Sequence, residues 1–181
     1  MFELLIPLFL LVLFFLVLSI IWRINARKYI SSGTVASAYD AWTQDKLLER
    51  LWGEHIHLGF YTSREKNIDF RQAKVRFVHE LVKWSGLDKL PKGSRILDVG
   101  CGIGGSSRIL AEYYGFNVTG ITISPAQVKR ARELTPHGLN CNFQVMDALD
   151  LKFEDGSFDA VWSVEAVAHI NDKIRMYPLF E

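Results

Sequence analysis

Cysteine is scarce in this sequence, and so is an excess of charge of either sign. The 181 residues include two cysteines, Cys101 and Cys141, which excludes a disulfide framework and favours a reducing compartment. Neither cysteine has a histidine or cysteine neighbour at the spacing of metal ligands, so we predict no metal site. Lys and Arg number 21 against 20 Asp and Glu. This balance argues against nucleic acid as a partner, because proteins that bind nucleic acids usually carry a basic excess.

One long hydrophobic run stands near the N-terminus. Leu4–Trp22 is almost wholly apolar, and as a helix it would rise roughly 28 Å, close to the hydrocarbon thickness of a bilayer. Arg23, Arg27 and Lys28 follow the run at once. A cleaved signal peptide would instead carry basic residues before the run and small residues after it. We therefore predict a transmembrane anchor in residues 1–30, with the membrane as a partner and the folded part on the cytoplasmic side.

Residues 31–92 are predicted to form a helical segment. The pattern indicates one helix over Thr34–Arg50 and another that Asp69 caps, that runs to Ser85 and that Gly86 ends. The apolar residues of the second helix are expected on one face: Phe70, Ala73, Phe77, Val78, Leu81 and Trp84. Between the two helices, Trp52–Tyr61 follows neither the helical nor the strand period and is predicted to be a loop.

Residues 93–181 alternate between short strands and helices. Strands are predicted at Ser94–Val99, Asn117–Ile121, Cys141–Val145 and Phe158–Val164, and helices at Gly105–Tyr114 and Ser124–Leu134. Strands separated by helices form βαβ units with a parallel sheet. The predicted fold class is therefore α/β, a Rossmann-like sheet of which four strands are present, preceded by the transmembrane helix.

The chemistry is concentrated after the first strand. Ile96–Gly105 runs from that strand through a glycine-rich turn into a helix, and open α/β sheets bind their ligands at this edge. Gly100, Gly102 and Gly105 also satisfy the dinucleotide-binding pattern, so a nicotinamide dinucleotide is an alternative ligand.

That alternative requires an acid at the end of the second strand, to hold a ribose. The sequence has no acid there, since the positions are Thr122, Ile123 and Ser124. The dinucleotide alternative also gives no role to Asp98, whose carboxylate suits a positively charged ligand better than a pyrophosphate. We therefore rank the dinucleotide below a cationic ligand.

The glycine-rich segment resembles motif I of the class I S-adenosylmethionine (SAM) methyltransferases. Four further segments are similar to the tocopherol methyltransferase group and its sterol methyltransferase relatives: Tyr39-Asp40, Trp52–Gly59, Gly120–Gln127 and Ser157–Glu165. The resemblance extends over about Ser31–Lys173. It implies SAM as the cofactor and C-methylation of a prenylated benzoquinol of the 2-methyl-6-phytyl type, a bilayer-dissolved substrate of tocopherol and plastoquinone biosynthesis. A γ-tocopherol or sterol-type acceptor is the alternative within the group.

The resemblance also implies roles for single residues. Asp98 and the glycines would hold the aminocarboxypropyl end of SAM, the second strand's end its ribose, and the third strand's end its adenine. The cofactor-binding residues implied are Asp98, Gly100, Cys101, Gly102, Gly104, Thr122, Ile123, Gln127, Asp147 and Ala148. The implied catalytic residues, which would take a proton from a ring hydroxyl, are His55, Glu165 and His169, with His57 as a further candidate.

Members of the group continue beyond a fourth strand with further strands and a region that covers the substrate. Residues 175–181 do not resemble that continuation. The sequence is therefore expected to be truncated at its C-terminus, and a catalytically inactive, membrane-anchored fragment is the alternative to an enzyme. The predicted organisation is an anchor (1–30), a helical segment (31–92) and an incomplete SAM-binding domain (93–181).

Overall fold

The computed structural model describes residues 10–19, 32–62, 68–170, 172 and 174. The chain divides into two units, residues 1–31 and 32–181, and each is considered by itself. In the first unit, residues 10–19 are helical.

The prediction of a transmembrane helix over Leu4–Trp22 is wrong within the described residues. Among the described residues, no helix combines the length and the apolar character needed to cross a membrane. The helical residues 10–19 would rise only about 15 Å, half of the hydrocarbon core. The other residues of the predicted span, 4–9 and 20–22, lie outside the described residues.

The second unit begins with three helices: α1 (Ser32–Gln44), α2 (Leu47–Trp52) and α3 (Phe70–Ser85). The single helix predicted over Thr34–Arg50 is therefore two helices. Lys46 causes the break, because its backbone is left-handed with φ 54° and a helix cannot continue through that conformation. The boundaries of α3 are confirmed, since Asp69 accepts from the N–H groups of Arg71 and Gln72 and Gly86 ends the helix with φ 74°.

Four parallel strands form one sheet in the order β3-β2-β1-β4. They are β1 (Arg95–Val99), β2 (Asn117–Thr122), β3 (Cys141–Val145) and β4 (Ala160–Trp162). Helices α4 (Gly105–Tyr114) and α5 (Pro125–Leu134) connect β1 to β2 and β2 to β3. This is the Rossmann-like arrangement predicted, although β4 has three residues in place of the seven in Phe158–Val164.

Alternation along β1 divides the core between the two faces of the sheet. Ile96 faces α3 and α4 and packs among residues such as Val78, Val82, Leu110 and Phe116. Leu97 and Val99 face the other side, where Ile121 and Ala148 join them. Ala73 and Val78 of the predicted face are buried, together with Lys74 and Val82, whereas Trp84, predicted on the same face, is 84% exposed. The carboxyl ends of all four strands meet at one edge, which positions the candidate site.

Candidate functional site

The glycine-rich turn at the end of β1 requires glycine in its backbone. Gly100, Gly102 and Gly104 have φ of 75°, 57° and 82°, in the left-handed region that other residues rarely adopt. The N–H groups of Gly100 and Cys101 both donate to the carbonyl of Ile121, which ties the turn to the end of β2. A Cβ on Gly102 would meet no atom within 4 Å. The turn is therefore attached to the end of β2, and its Gly102 faces open space.

Asp98 is the charged group nearest this turn along the chain. Its side chain is 2% exposed, and its Oδ2 accepts a 2.5 Å hydrogen bond from Ser107 Oγ on α4. Burial raises the pKa of Asp98 to about 7, and the Ser107 hydrogen bond only partly opposes this. No cation among the described residues forms an ion pair with it. The arrangement suits a ligand that brings a positive charge of its own.

The side chain of Cys101 faces away from the open space at Gly102. It is buried with Val128, Ala131 and Phe143 between α5 and the sheet, and burial raises the pKa of its thiol well above the ordinary value. The Cys101 thiol therefore belongs to this packed cluster, and the cofactor-binding role implied for Cys101 stays a prediction.

The segment between α2 and α3 lies over the start of α4. A Cβ on Gly105 would be 2.7 Å from the carbonyl oxygen of Glu54 and 2.8 Å from His55 Cε1. Gly105 therefore permits the close approach of Glu54 and His55. This accounts for the third glycine of the apparent dinucleotide pattern without a ligand.

Two buried basic side chains hold this segment in place. Lys74 of α3 donates to the carbonyl oxygens of Trp52 and His55, at 3.1 and 2.7 Å. Arg108 of α4 donates to the carboxylate of Glu54 at 2.5 Å and to the carbonyl of Ile103 at 2.8 Å. The segment is thus attached both to α3 and to the glycine-rich turn.

Replacing Lys74 with Met should destabilise the second unit by about 2 kcal/mol, because two carbonyl groups lose a charged donor. Lys83→Met on the same helix is the matched control, since Lys83 is exposed and its ammonium pairs with the exposed Glu80. That control should change the free energy of unfolding by less than about 0.5 kcal/mol. Urea denaturation measures both, and equal effects would contradict the role given to Lys74.

His55 and His57 form a buried pair in the same segment. His57 Nδ1 lies 2.7 Å from the carbonyl oxygen of Leu58, so this nitrogen carries a proton. His57 Nε2 lies 3.1 Å from His55 Nδ1, and in the neutral pair it accepts a hydrogen bond from the N–H of His55 Nδ1. Burial lowers the pKa of both residues, that of His55 to about 3. At neutral pH both rings are uncharged, and His55 is a weak base.

The other two predicted catalytic residues follow β4, and both are exposed. Glu165 has a left-handed backbone with φ 57°, and its Oε1 accepts from the N–H of Leu58 at 3.0 Å. His169 Nε2 lies 3.0 Å from the hydroxyl of Tyr39 on α1, with the two rings edge to face. The structure therefore brings Glu165 to the segment that carries His55 and His57, and places His169 beside Tyr39.

The predicted residues at the ends of β2 and β3 are close to the same edge. Thr122 and Gln127 are buried and joined by a 2.7 Å hydrogen bond, and Ile123 is half-buried. Asp147 Oδ1 accepts from the N–H of Leu149, and Ala148 is buried beneath the sheet's second face.

Three contributors to this site were not singled out as site residues from the sequence: Tyr39, Lys74 and Ser107. The block Tyr39-Asp40 belongs to the resemblance, and that signal pointed to Tyr39 without giving it a role. Lys74 and Ser107 left no signal, because each acts through a tertiary contact. Among the described residues, no group of three or more His, Cys, Asp or Glu is placed to hold a metal ion.

Comparison with protein families and curated proteins gives consistent matches. Residues 96–177 match the family described as methyltransferase domain. The chain is 61% identical to 2-methyl-6-phytyl-1,4-hydroquinone methyltransferase of Synechocystis over 84% of this chain and 48% of that protein. It is 42% identical to the chloroplastic tocopherol O-methyltransferase of Arabidopsis thaliana, over 71% of this chain and 40% of that protein. The chain thus spans about half the length of the curated relatives it matches.

Solved structures share the fold. The cyclase SpnF is 28% identical with a TM-score of 0.71, and the match covers 82% of this chain and 54% of that one. Phosphoethanolamine N-methyltransferase 2 of Haemonchus contortus, in complex with S-adenosyl-L-methionine, is 25% identical with a TM-score of 0.59. That match covers 77% of this chain and 29% of the other. A cyclase among these neighbours means that the fold alone does not determine the reaction.

Proposed function

We propose that the chain, whose residues 96–177 match the methyltransferase domain family, binds SAM and methylates a ring carbon of a prenylated hydroquinone. The observation that carries the proposal is the buried Asp98 carboxyl, which has no cationic partner among the described residues and stands just before the turn in which Gly102 faces open space. The 61% identity to the Synechocystis hydroquinone methyltransferase supports the class of acceptor.

The residues at the carboxyl edge fit SAM. Asp98 would bind the ammonium of the aminocarboxypropyl group, and the backbone of Gly100–Gly104 would lie along it. Ile123 would border the nucleoside. Asp147 Oδ2, which has no donor within the described part of the chain, would accept from the exocyclic amine of adenine. When bound, SAM supplies an electrophilic methyl group on a sulfonium. The chain must then orient the acceptor and make its ring more nucleophilic.

His169 is the base that the geometry favours for this last task. Removing the proton of a ring hydroxyl raises the electron density of the ring carbons, and an exposed imidazole nitrogen can accept that proton. His169 is exposed at the site edge and is oriented by the hydroxyl of Tyr39. His55 is less suited, because its pKa of about 3 leaves it a weak base. We assign Glu165 a positioning role, because its carboxylate accepts a hydrogen bond from the N–H of Leu58.

Replacing His169 with Ala should lower kcat by about 100-fold or more, the usual contribution of general-base catalysis. Tyr39→Phe should lower kcat by roughly fivefold, because the ring of His169 then loses a hydrogen bond worth about 1 kcal/mol. Both variants should bind S-adenosylhomocysteine as the wild type does. His137→Ala, on the exposed loop before β3, is the control that should leave kcat unchanged. Unchanged kcat in His169→Ala would remove His169 from the mechanism.

Methyl transfer from radiolabelled SAM tests the proposed function itself. We expect labelling of 2-methyl-6-phytyl-1,4-hydroquinone in detergent, with γ-tocopherol a poorer acceptor. Calorimetry should show binding of SAM and S-adenosylhomocysteine and no binding of NAD. Preferential labelling of γ-tocopherol would favour the tocopherol acceptor class that the Arabidopsis relative suggests. Binding of NAD without binding of SAM would overturn the proposal.

A further inference from the structure

The end of β2 lacks the acid that often holds a ribose at this place in a Rossmann-like sheet. Its residues are Thr122, Ile123 and Ser124. In the folded chain an acid nevertheless reaches this place, because α1 delivers Asp40 to it. Asp40 Oδ1 accepts from Ser124 Oγ at 2.5 Å and from the N–H of Ala126 at 3.0 Å.

The side chains that belong to this strand end are already committed. The Thr122 hydroxyl donates to Gln127 Oε1 and accepts from the N–H of Ser124. Ser124 is 0% exposed and Gln127 is 4% exposed. Asp40, by contrast, is half-buried and uses Oδ1 for both of its hydrogen bonds. Its Oδ2 has no donor among the described residues.

This carboxylate is attached to the same edge as Asp98. The carbonyl of Ile121, just before the end of β2, accepts from the N–H groups of Gly100 and Cys101. Asp98 lies directly across from Gly120 on β2, and neighbouring strands are about 4.8 Å apart. Helix α1 also borders the glycine-rich turn, because Tyr39 and Trp42 line a small cavity together with Ile103.

We propose that Asp40 supplies the missing acid and that its Oδ2 accepts a hydrogen bond from a ribose hydroxyl of the bound nucleoside. A hydroxyl donates well to a carboxylate, and the bonds from Ser124 and Ala126 fix the direction in which Oδ2 points. Asp40 then has two roles, since it also joins α1 to the start of α5. The inference rests on the proposed function, because the nucleoside belongs to SAM.

The test combines the variant Asp40→Asn with ligands that lack one ribose hydroxyl. Asparagine keeps Oδ1 for Ser124 and Ala126 but replaces Oδ2 with a donor. Calorimetry with S-adenosylhomocysteine and its 2′-deoxy and 3′-deoxy analogues gives the preference for each hydroxyl. The wild type should prefer the natural ligand over at least one analogue by roughly 10- to 100-fold, as for hydrogen bonds to charged groups. In Asp40→Asn that preference should fall to about threefold or less.

Glu49→Gln is the matched control. Glu49 of α2 also bridges to α5, through two hydrogen bonds from Arg130 at 2.8 and 2.6 Å. Its loss should leave the preference for the ribose hydroxyl intact. If Asp40→Asn weakens the natural ligand and both analogues by the same factor, the residue is only an anchor and the inference is wrong. If the wild type binds no S-adenosylhomocysteine, the proposed function itself is overturned, and the inference with it.

Discussion

Replacing Asp98 with Asn is expected to stabilise the free protein at pH 8 and to abolish its binding of SAM. The pKa of Asp98 is raised from 3.8 to about 7, so the folded state binds more protons than the unfolded state between pH 4 and pH 7. Stability therefore falls as pH rises through this window. The loss approaches about 4 kcal/mol above pH 7, at about 1.4 kcal/mol for each pKa unit. Asparagine avoids that loss and still accepts from Ser107.

Urea denaturation of both proteins at pH 4 and pH 8 measures this effect. The variant should exceed the wild type at pH 8 by up to about 4 kcal/mol, and the two should be nearly equal at pH 4. Asp159→Asn is the control of opposite sign. Hydrogen bonds from Arg95 hold the pKa of Asp159 below its ordinary value, so this contribution is present at pH 8 and is lost as pH falls. Asp159→Asn should thus lower stability at pH 8.

Loss of binding in Asp98→Asn follows from the charge that the site supplies. In the variant, the ammonium of the bound ligand lies beside a neutral amide and loses the carboxylate of Asp98. This loss should cost at least about 3 kcal/mol, or roughly 100-fold in affinity. If the variant is more stable and still binds SAM with normal affinity, the ligand does not use Asp98. A variant that is less stable at pH 8 would show that the carboxyl is paired in the folded chain.

Gly102→Val is expected to abolish SAM binding while the fold is kept. A Cβ at this position meets no atom within 4 Å, so the side chain would occupy the space that we assign to the ligand. The left-handed backbone adds a cost of about 1–2 kcal/mol to folding. Calorimetry should therefore show at least a 100-fold loss of affinity, together with a modest decrease in thermal stability.

Gly138→Val separates the two effects. Gly138 has φ 84° and also meets no atom within 4 Å, but it precedes β3 and thus lies at the opposite edge of the sheet. The cost in stability should be similar, and the affinity for SAM should not change. Equal losses of affinity in both variants would mean that strain, and not occupied space, weakens binding.

The sheet and its glycine-rich turn could be predicted because their signals are local. The bounds of β3 and α4 were predicted residue by residue, since turn residues stand directly beside alternating or helical patterns. The start of α5 was also expected, because Ser124 caps it and Pro125 suits its first turn. The predicted β4 is too long, because the apolar residues that flank Ala160–Trp162 lie in loops and are not paired with β1.

The parts that could not be predicted depend on contacts between distant residues. No local pattern in Trp52–Gly59 shows that this segment lies on Gly105, since Lys74 and Arg108 of two other helices hold it there. Asp40 is likewise 84 residues away from the serine that it accepts from. The left-handed Lys46 that divides the predicted first helix carries no glycine or proline signal. The transmembrane helix was predicted from the length of the apolar run and the basic residues that follow it, and the described helical residues 10–19 are shorter than that prediction required.

The number of protons released when S-adenosylhomocysteine binds tests the account most directly. Calorimetry in buffers of different ionisation enthalpy gives this number at each pH. Asp98 has a pKa of about 7 in the free chain, and an ammonium beside it should bring the pKa well below 6. We therefore predict the release of about 0.9 proton at pH 6 and about 0.1 at pH 8. Tight binding at pH 6 with no proton released would contradict the assignment of Asp98 to the cationic end of the ligand.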